Sequence, residues 1–100
     1  MSTPTRARGE ISQVESQFYQ TEQAIDHLRR QSFRYATVNF YRSDLDSERR
    51  ELGEIKQMFD HKEFESSAQR ASDLYYNLQR LAADARRALE DARREKERQS

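Results

Sequence analysis

The chain has 100 residues, 34% hydrophobic and 36% charged, with 18 Lys+Arg balanced by 18 Asp+Glu. It is one small domain at most, with too little apolar material for a thick globular core and enough for long amphipathic helices with wide solvated faces. Two Gly and one Pro argue against a turn-rich all-β fold, the lack of Cys excludes disulfides and thiol chemistry, and a net charge of zero argues against a nucleic-acid binder.

Residues 1–8 are polar, with no apolar signal-peptide core, and read as a disordered arm. Helical periodicity then appears in Ile11, Val14, Phe18, Ile25, Leu28 and Tyr35, spaced by threes and fours along one stripe. No Pro or Gly interrupts this run before Ser43, so the spacing predicts a first helix over about 9–42. Ser43-Asp44-Leu45-Asp46-Ser47-Glu48 carries N-cap and first-turn acid signals. A second helix is expected over about 44–59, with Leu45, Leu52, Ile55 and Phe59 facing inward.

Asp60-His61-Lys62-Glu63 has capping-box spacing and predicts a third helix over about 61–97, with a frayed end at 98–100. Its apolar stripe runs through Phe64, Ala68, Ala71, Leu74 or Tyr75, Leu78, Leu81, Ala85, Leu89 and Ala92. The expected architecture is all-α: a single domain over 9–97, made of one short helix between two long ones. The overhanging ends, Ile11, Val14 and Phe18 on the first helix and Leu81 and Leu89 on the third, then call for a partner, most simply another copy of the chain. Such a staggered unit looks like a spectrin-type repeat. No stretch reaches the roughly 18 apolar residues of a membrane span, which fits a soluble, cytoplasmic chain.

Residues Tyr35 to Ala71 resemble the C-terminal spectrin-like repeat of EzrA, the septation-ring regulator of Gram-positive bacteria. Asn39-Phe40-Tyr41-Arg42-Ser43 stands where that family has Asn-Arg-Tyr-Arg-Ser, and Glu54, Gln57, Met58 and Phe59 follow at the family's spacing. Leu52, Phe64 and Ala71 continue the ungapped register. The resemblance implies a scaffold at the division site that binds division proteins and restrains assembly of the FtsZ polymer. Of the family's Gln-x-x-Asn-Arg recruitment patch, Asn39 is retained, while Ala36 and Phe40 replace the Gln and the Arg.

Catalytic patterns are absent. Neither His27 nor His61 belongs to a paired-ligand motif, and His61 beside Asp60, Glu63 and Glu65 reads as an ordinary helix start. Nothing in the sequence points to a cofactor or a metal, and the reading is non-enzymatic. Arg29-Arg30, Arg49-Arg50, Arg86-Arg87 and Arg93-Arg94 are interleaved with acids at pairing distance along helices. The candidate interaction residues are Asn39, Tyr41 and Arg42 at the expected first corner, together with Tyr19, Tyr76 and Arg80, residue types that interface hot spots favour. Two further readings stand beside the division scaffold. One is a stand-alone helical adaptor or chaperone-like protein pairing with another helical protein or itself. The other is an Arg-mediated binder of anionic surfaces or nucleic acid.

Overall fold

A computed structural model describes residues 4–31 and 34–99. They form three helices, α1 (Pro4–Gln31), α2 (Tyr35–Asp60) and α3 (Phe64–Gln99), of 28, 26 and 36 residues. Each is a heptad helix, because core side chains recur by alternating threes and fours. The series is Ala7, Ile11, Val14, Phe18, Thr21, Ile25, Leu28 on α1 and Val38, Tyr41, Leu45, Glu48, Leu52, Ile55, Phe59 on α2. On α3 it runs Ser67, Ala71, Leu74, Leu78, Leu81, Ala85. The all-α three-helix unit read from the sequence is the fold.

The chain runs up, down and up. Glu15 pairs with Lys56 and Glu22 with Arg49, which sets α2 antiparallel to α1. Thr21 Oγ1 donates to the Leu78 carbonyl at 3.0 Å and Lys96 Nζ to Gln31 Oε1 at 3.3 Å, so α1 and α3 run parallel. Ala7, Ala68, Ala71, Ala82 and Ala85 are all at 0% exposure. Such small side chains let helix backbones approach closely, and α1 and α3 form the tighter pair. Gln17, Thr21 and Ser67 are buried but satisfied, with Gln17 Nε2 donating to Thr21 Oγ1 and Ser67 Oγ to the Phe64 carbonyl.

The helix boundaries differ from those expected. The first helix ends at Gln31 and the second begins at Tyr35, so Val38 to Ser43 lie inside α2 and Ser43-Asp44 caps nothing. The sequence hides this break because Gln31-Ser32-Phe33-Arg34 contains no Gly, Pro or capping pattern. The N-cap residue Arg34 makes no side-chain capping bond; its carbonyl accepts the Val38 N–H at 3.3 Å. Packing decides this corner, since heptads on either side of it must face the same α3.

The start of α1 was also misplaced. Of the segment read as a disordered arm, residues 4–8 are helical, with Ala7 fully buried; residues 1–3 lie outside the described residues. Pro4 opens the helix, where its missing N–H costs nothing. At the other end α3 continues through residues 98 and 99, read as frayed; Ser100 lies outside the described residues.

The second corner is built by the chain itself. Lys62 N donates to the Phe59 carbonyl and Glu63 N to the Met58 carbonyl, both at 2.9 Å, and Lys62 sits at φ 64. These two bonds form a Schellman motif closing α2. Asp60 to Lys62 therefore end one helix, while the Glu63 carbonyl accepts the Ser67 N–H at 3.0 Å and opens the next, so α3 begins at Phe64. Phe59 and Phe64 meet edge to face across the turn, centroids 5.2 Å apart.

Because the break falls at 34 and not at 43, α2 gains length at the expense of α1 and spans most of it. Ile11, Val14 and Phe18 do not overhang; they are 8%, 0% and 6% exposed within the bundle. Leu81 and Leu89 are likewise buried, at 7% and 8%. The apolar stripes that called for a partner are covered by the chain's own helices.

Candidate interaction surface

The residues singled out in the sequence do not converge on one site. Asn39 and Arg42 are exposed, three residues apart on the flank of α2 that turns toward α1. Arg42 lines a shallow groove of about 260 Å³ with Glu22, Asp26, Asp46 and Arg49. Tyr41 points the other way, into the core seam, half-buried against both parts of the core. Burial raises its phenol pKa, and the nearby carboxylates of Asp84, Asp44 and Asp91 add to the rise against the opposing charge of Arg87.

Tyr19 lies 66% exposed on α1 and Tyr76 64% exposed on α3. Arg80, one turn after Tyr76, is exposed and donates to Asn77 Oδ1 at 2.8 Å. The heptads put Tyr19 on the α2-facing flank of α1 and Tyr76 on the outermost line of α3. The two tyrosines belong to different faces.

Sequence reasoning missed Tyr35 and Phe40. They are 77% and 62% exposed, among the most accessible large hydrophobic side chains of the described residues. Periodicity puts Tyr35 on the core stripe of an uninterrupted first helix, and the corner before it removes it from that stripe. Phe40 packs edge-on against Tyr41, centroids 5.9 Å apart, with its other face open. Tyr35 and Phe40, five residues apart, lie on different flanks of α2. Beside Tyr41, between the start of α2 and the end of α3, lies a groove of about 470 Å³. Leu28, Tyr41, Ala88 and Ala92 supply its apolar wall, and Arg34, Arg94, Arg98, Asp91 and Glu95 its rim. Arg34 is tied to Glu95 at 3.0 Å across that rim.

An exposed ring packed on Tyr41, an apolar trough and an Arg-rich border are the features of a protein-binding surface. Among the described residues, no group of three His, Cys, Asp or Glu is placed to hold a metal, and no helix is long and apolar enough to cross a membrane. Compared with known proteins, the chain matches no family model, no curated protein and no solved structure.

Proposed function

We propose that the protein is a non-enzymatic helical interaction module that engages a protein partner through the surface around Phe40 and the groove beside Tyr41. The observation that carries this reading is an open aromatic ring beside an apolar trough: Phe40 is 62% exposed and packs edge-on against Tyr41, which lines the groove. Such a ring in water forgoes roughly 1.5–3 kcal/mol of burial, which a partner recovers. The resemblance of Tyr35 to Ala71 to the EzrA repeat supports a specific version, a scaffold that binds bacterial division proteins and restrains FtsZ assembly at the division site. Asn39 and Arg42, exposed on the α1-facing flank of the same helix, belong to that version.

Co-sedimentation with FtsZ polymers tests it, comparing wild type with Asn39→Ala and Phe40→Ala. Retention of the protein with the polymers, reduced at least several-fold by Phe40→Ala, is the expected result. A protein that stays in the supernatant and leaves polymer mass unchanged removes the division role.

The adaptor reading is favoured by one observation, the covering of every core stripe within a single chain. It expects a pulled-down helical partner that is lost with Phe40→Ala and indifferent to FtsZ.

A further inference from the structure

The three helices are not held equally. α1 and α3 bury nine residues each, while α2 buries only Val38, Leu45 and Ile55. The polar ties that hold α2 to its neighbours gather in its second half. Glu22 pairs with Arg49 and Glu15 with Lys56 on the α1 side, and Arg70 Nε donates to Glu51 at 2.7 Å on the α3 side. The Arg8 guanidinium lies 5.6 Å from the Phe59 ring centroid, and the Schellman bonds and the Phe59–Phe64 contact lock the corner behind it.

Residues 35–48 are held differently. Among the described residues, no ion pair or side-chain hydrogen bond joins them to α1 or α3. The Arg34–Glu95 pair just before them is exposed on both sides, and such pairs contribute little. Their grip on the bundle is Val38, Tyr41 and Leu45, of which Tyr41 is half-buried. Val38 belongs with Leu28 and Leu89 to a small apolar cluster separate from the main core, and Tyr41 packs against both. The stretch starts without a side-chain cap and ends at the half-buried Glu48, a carboxylate where hydrocarbon would continue the seam. Along its α3 side runs the groove of about 470 Å³, so that flank lacks close packing.

We propose that residues 35–48 form a lid that swings off the α1–α3 pair, hinged near Glu48, while the rest of the bundle stays folded. Segments with few buried apolar contacts open locally at lower free energy than the whole domain unfolds. The pair beneath stays joined through the fully buried Ala82 and Ala85 and the Thr21–Leu78 hydrogen bond. When Val38 leaves, Leu28 and Leu89 are uncovered, and the trough beside Tyr41 deepens into the seam. As regulation of partner binding, this lid rests on the reading of that groove as the partner's site. The opening itself belongs to the protein alone and is measured without a partner.

Amide hydrogen exchange of the wild-type protein, read residue by residue by NMR, tests it. Fraying of a helix start reaches only its first turn, so the amides of residues 41–47 are diagnostic. Their protection factors are expected at least about tenfold below those of residues 14–25 and 74–81. They should also stay nearly flat in urea below the unfolding transition, while those of α1 and α3 fall steeply. Val14 is fully buried, next to the Glu15–Lys56 pair, and remains buried when the lid opens. Val14→Ala should therefore lower protection in α1 and α3 at least about fivefold and leave residues 41–47 within about twofold. A single protection level, matching urea slopes, or a Val14→Ala loss that reaches residues 41–47 equally overturns the lid. Equal exchange along the whole of residues 41–58 overturns it too, because α2 then leaves as one piece. A failed lid leaves the co-sedimentation test of the groove standing, and failed co-sedimentation leaves the exchange result standing.

Discussion

Thr21 and Glu48 both occupy heptad positions that ask for hydrocarbon, and the structure treats them differently. Thr21 is completely buried and satisfied, bridging Gln17 to the Leu78 carbonyl, so it fixes the register of α1 against α3 at little net cost. Glu48 interrupts the α2 seam between Leu45 and Leu52 without a hydrogen-bond partner, in partial burial. That burial, followed by repulsion from Asp44 and Glu51, raises its pKa, and Arg80 opposes the shift. A carboxylate whose folded pKa lies above its unfolded value supports the fold below the unfolded pKa of about 4.5 and loses that support as pH rises through the folded value. At neutral pH the ionised Glu48 is therefore a burden. Glu48→Gln should stabilise the protein at pH 7, by about 0.5 kcal/mol after solvent screening, with the gain vanishing near pH 4. Urea denaturation at both pH values checks this; a less stable variant at pH 7 would show that the Arg80 attraction dominates.

At the scale of the element, the sequence was most legible where a periodic stripe was long and least legible where the chain turns. Ile11 to Leu28 and Phe64 to Leu89 stood out because one face is apolar over many turns. The small and polar members of the same stripes, Ala7, Thr21 and Ser67, were missed because their chemistry does not announce burial. The two corners explain the boundary errors. Ser43-Asp44 has the composition of a cap but sits on the exposed side of α2, while the real corner carries none of the usual signals. At the second corner the turn was placed within a few residues, yet its geometry was inverted, since capping-box residues there serve as a C-terminal lock. Exposure of Tyr35 follows from the first corner, so that ring was illegible for the same reason the break was. Lys62 gives this scale its prediction. A non-Gly residue at φ 64 costs roughly 1 kcal/mol relative to glycine, and its side chain is exposed. Lys62→Gly should raise stability by about 0.5–1 kcal/mol in thermal denaturation. A loss would mean that the lysine side chain contributes more than its backbone strain costs.

At the scale of the whole molecule, the bundle is a rod with Cα extents of 58 × 18 × 14 Å and a radius of gyration of 16.2 Å. A compact domain of this length has a radius nearer 13 Å, so more of each helix faces water. A rod this thin has one core seam, and the decisive question is whether that seam closes within one chain or between two. Val14 is its sharpest probe, at 0% exposure in the stripe that a staggered bundle would have left open. If the stripe is intramolecular, Val14→Asp loses roughly 1.5–3 kcal/mol of burial plus the cost of an unpaired charge. That is a large share of a total stability of about 5–15 kcal/mol. The variant should then lose helical circular dichroism at every protein concentration, while wild type sediments as an elongated monomer. If the stripe instead joined two chains, the variant would remain helical and become monomeric, and wild type would grow with concentration. The two arrangements thus give opposite results from one substitution, and burial of Val14, Phe18 and Leu81 inside a single chain sides with the first.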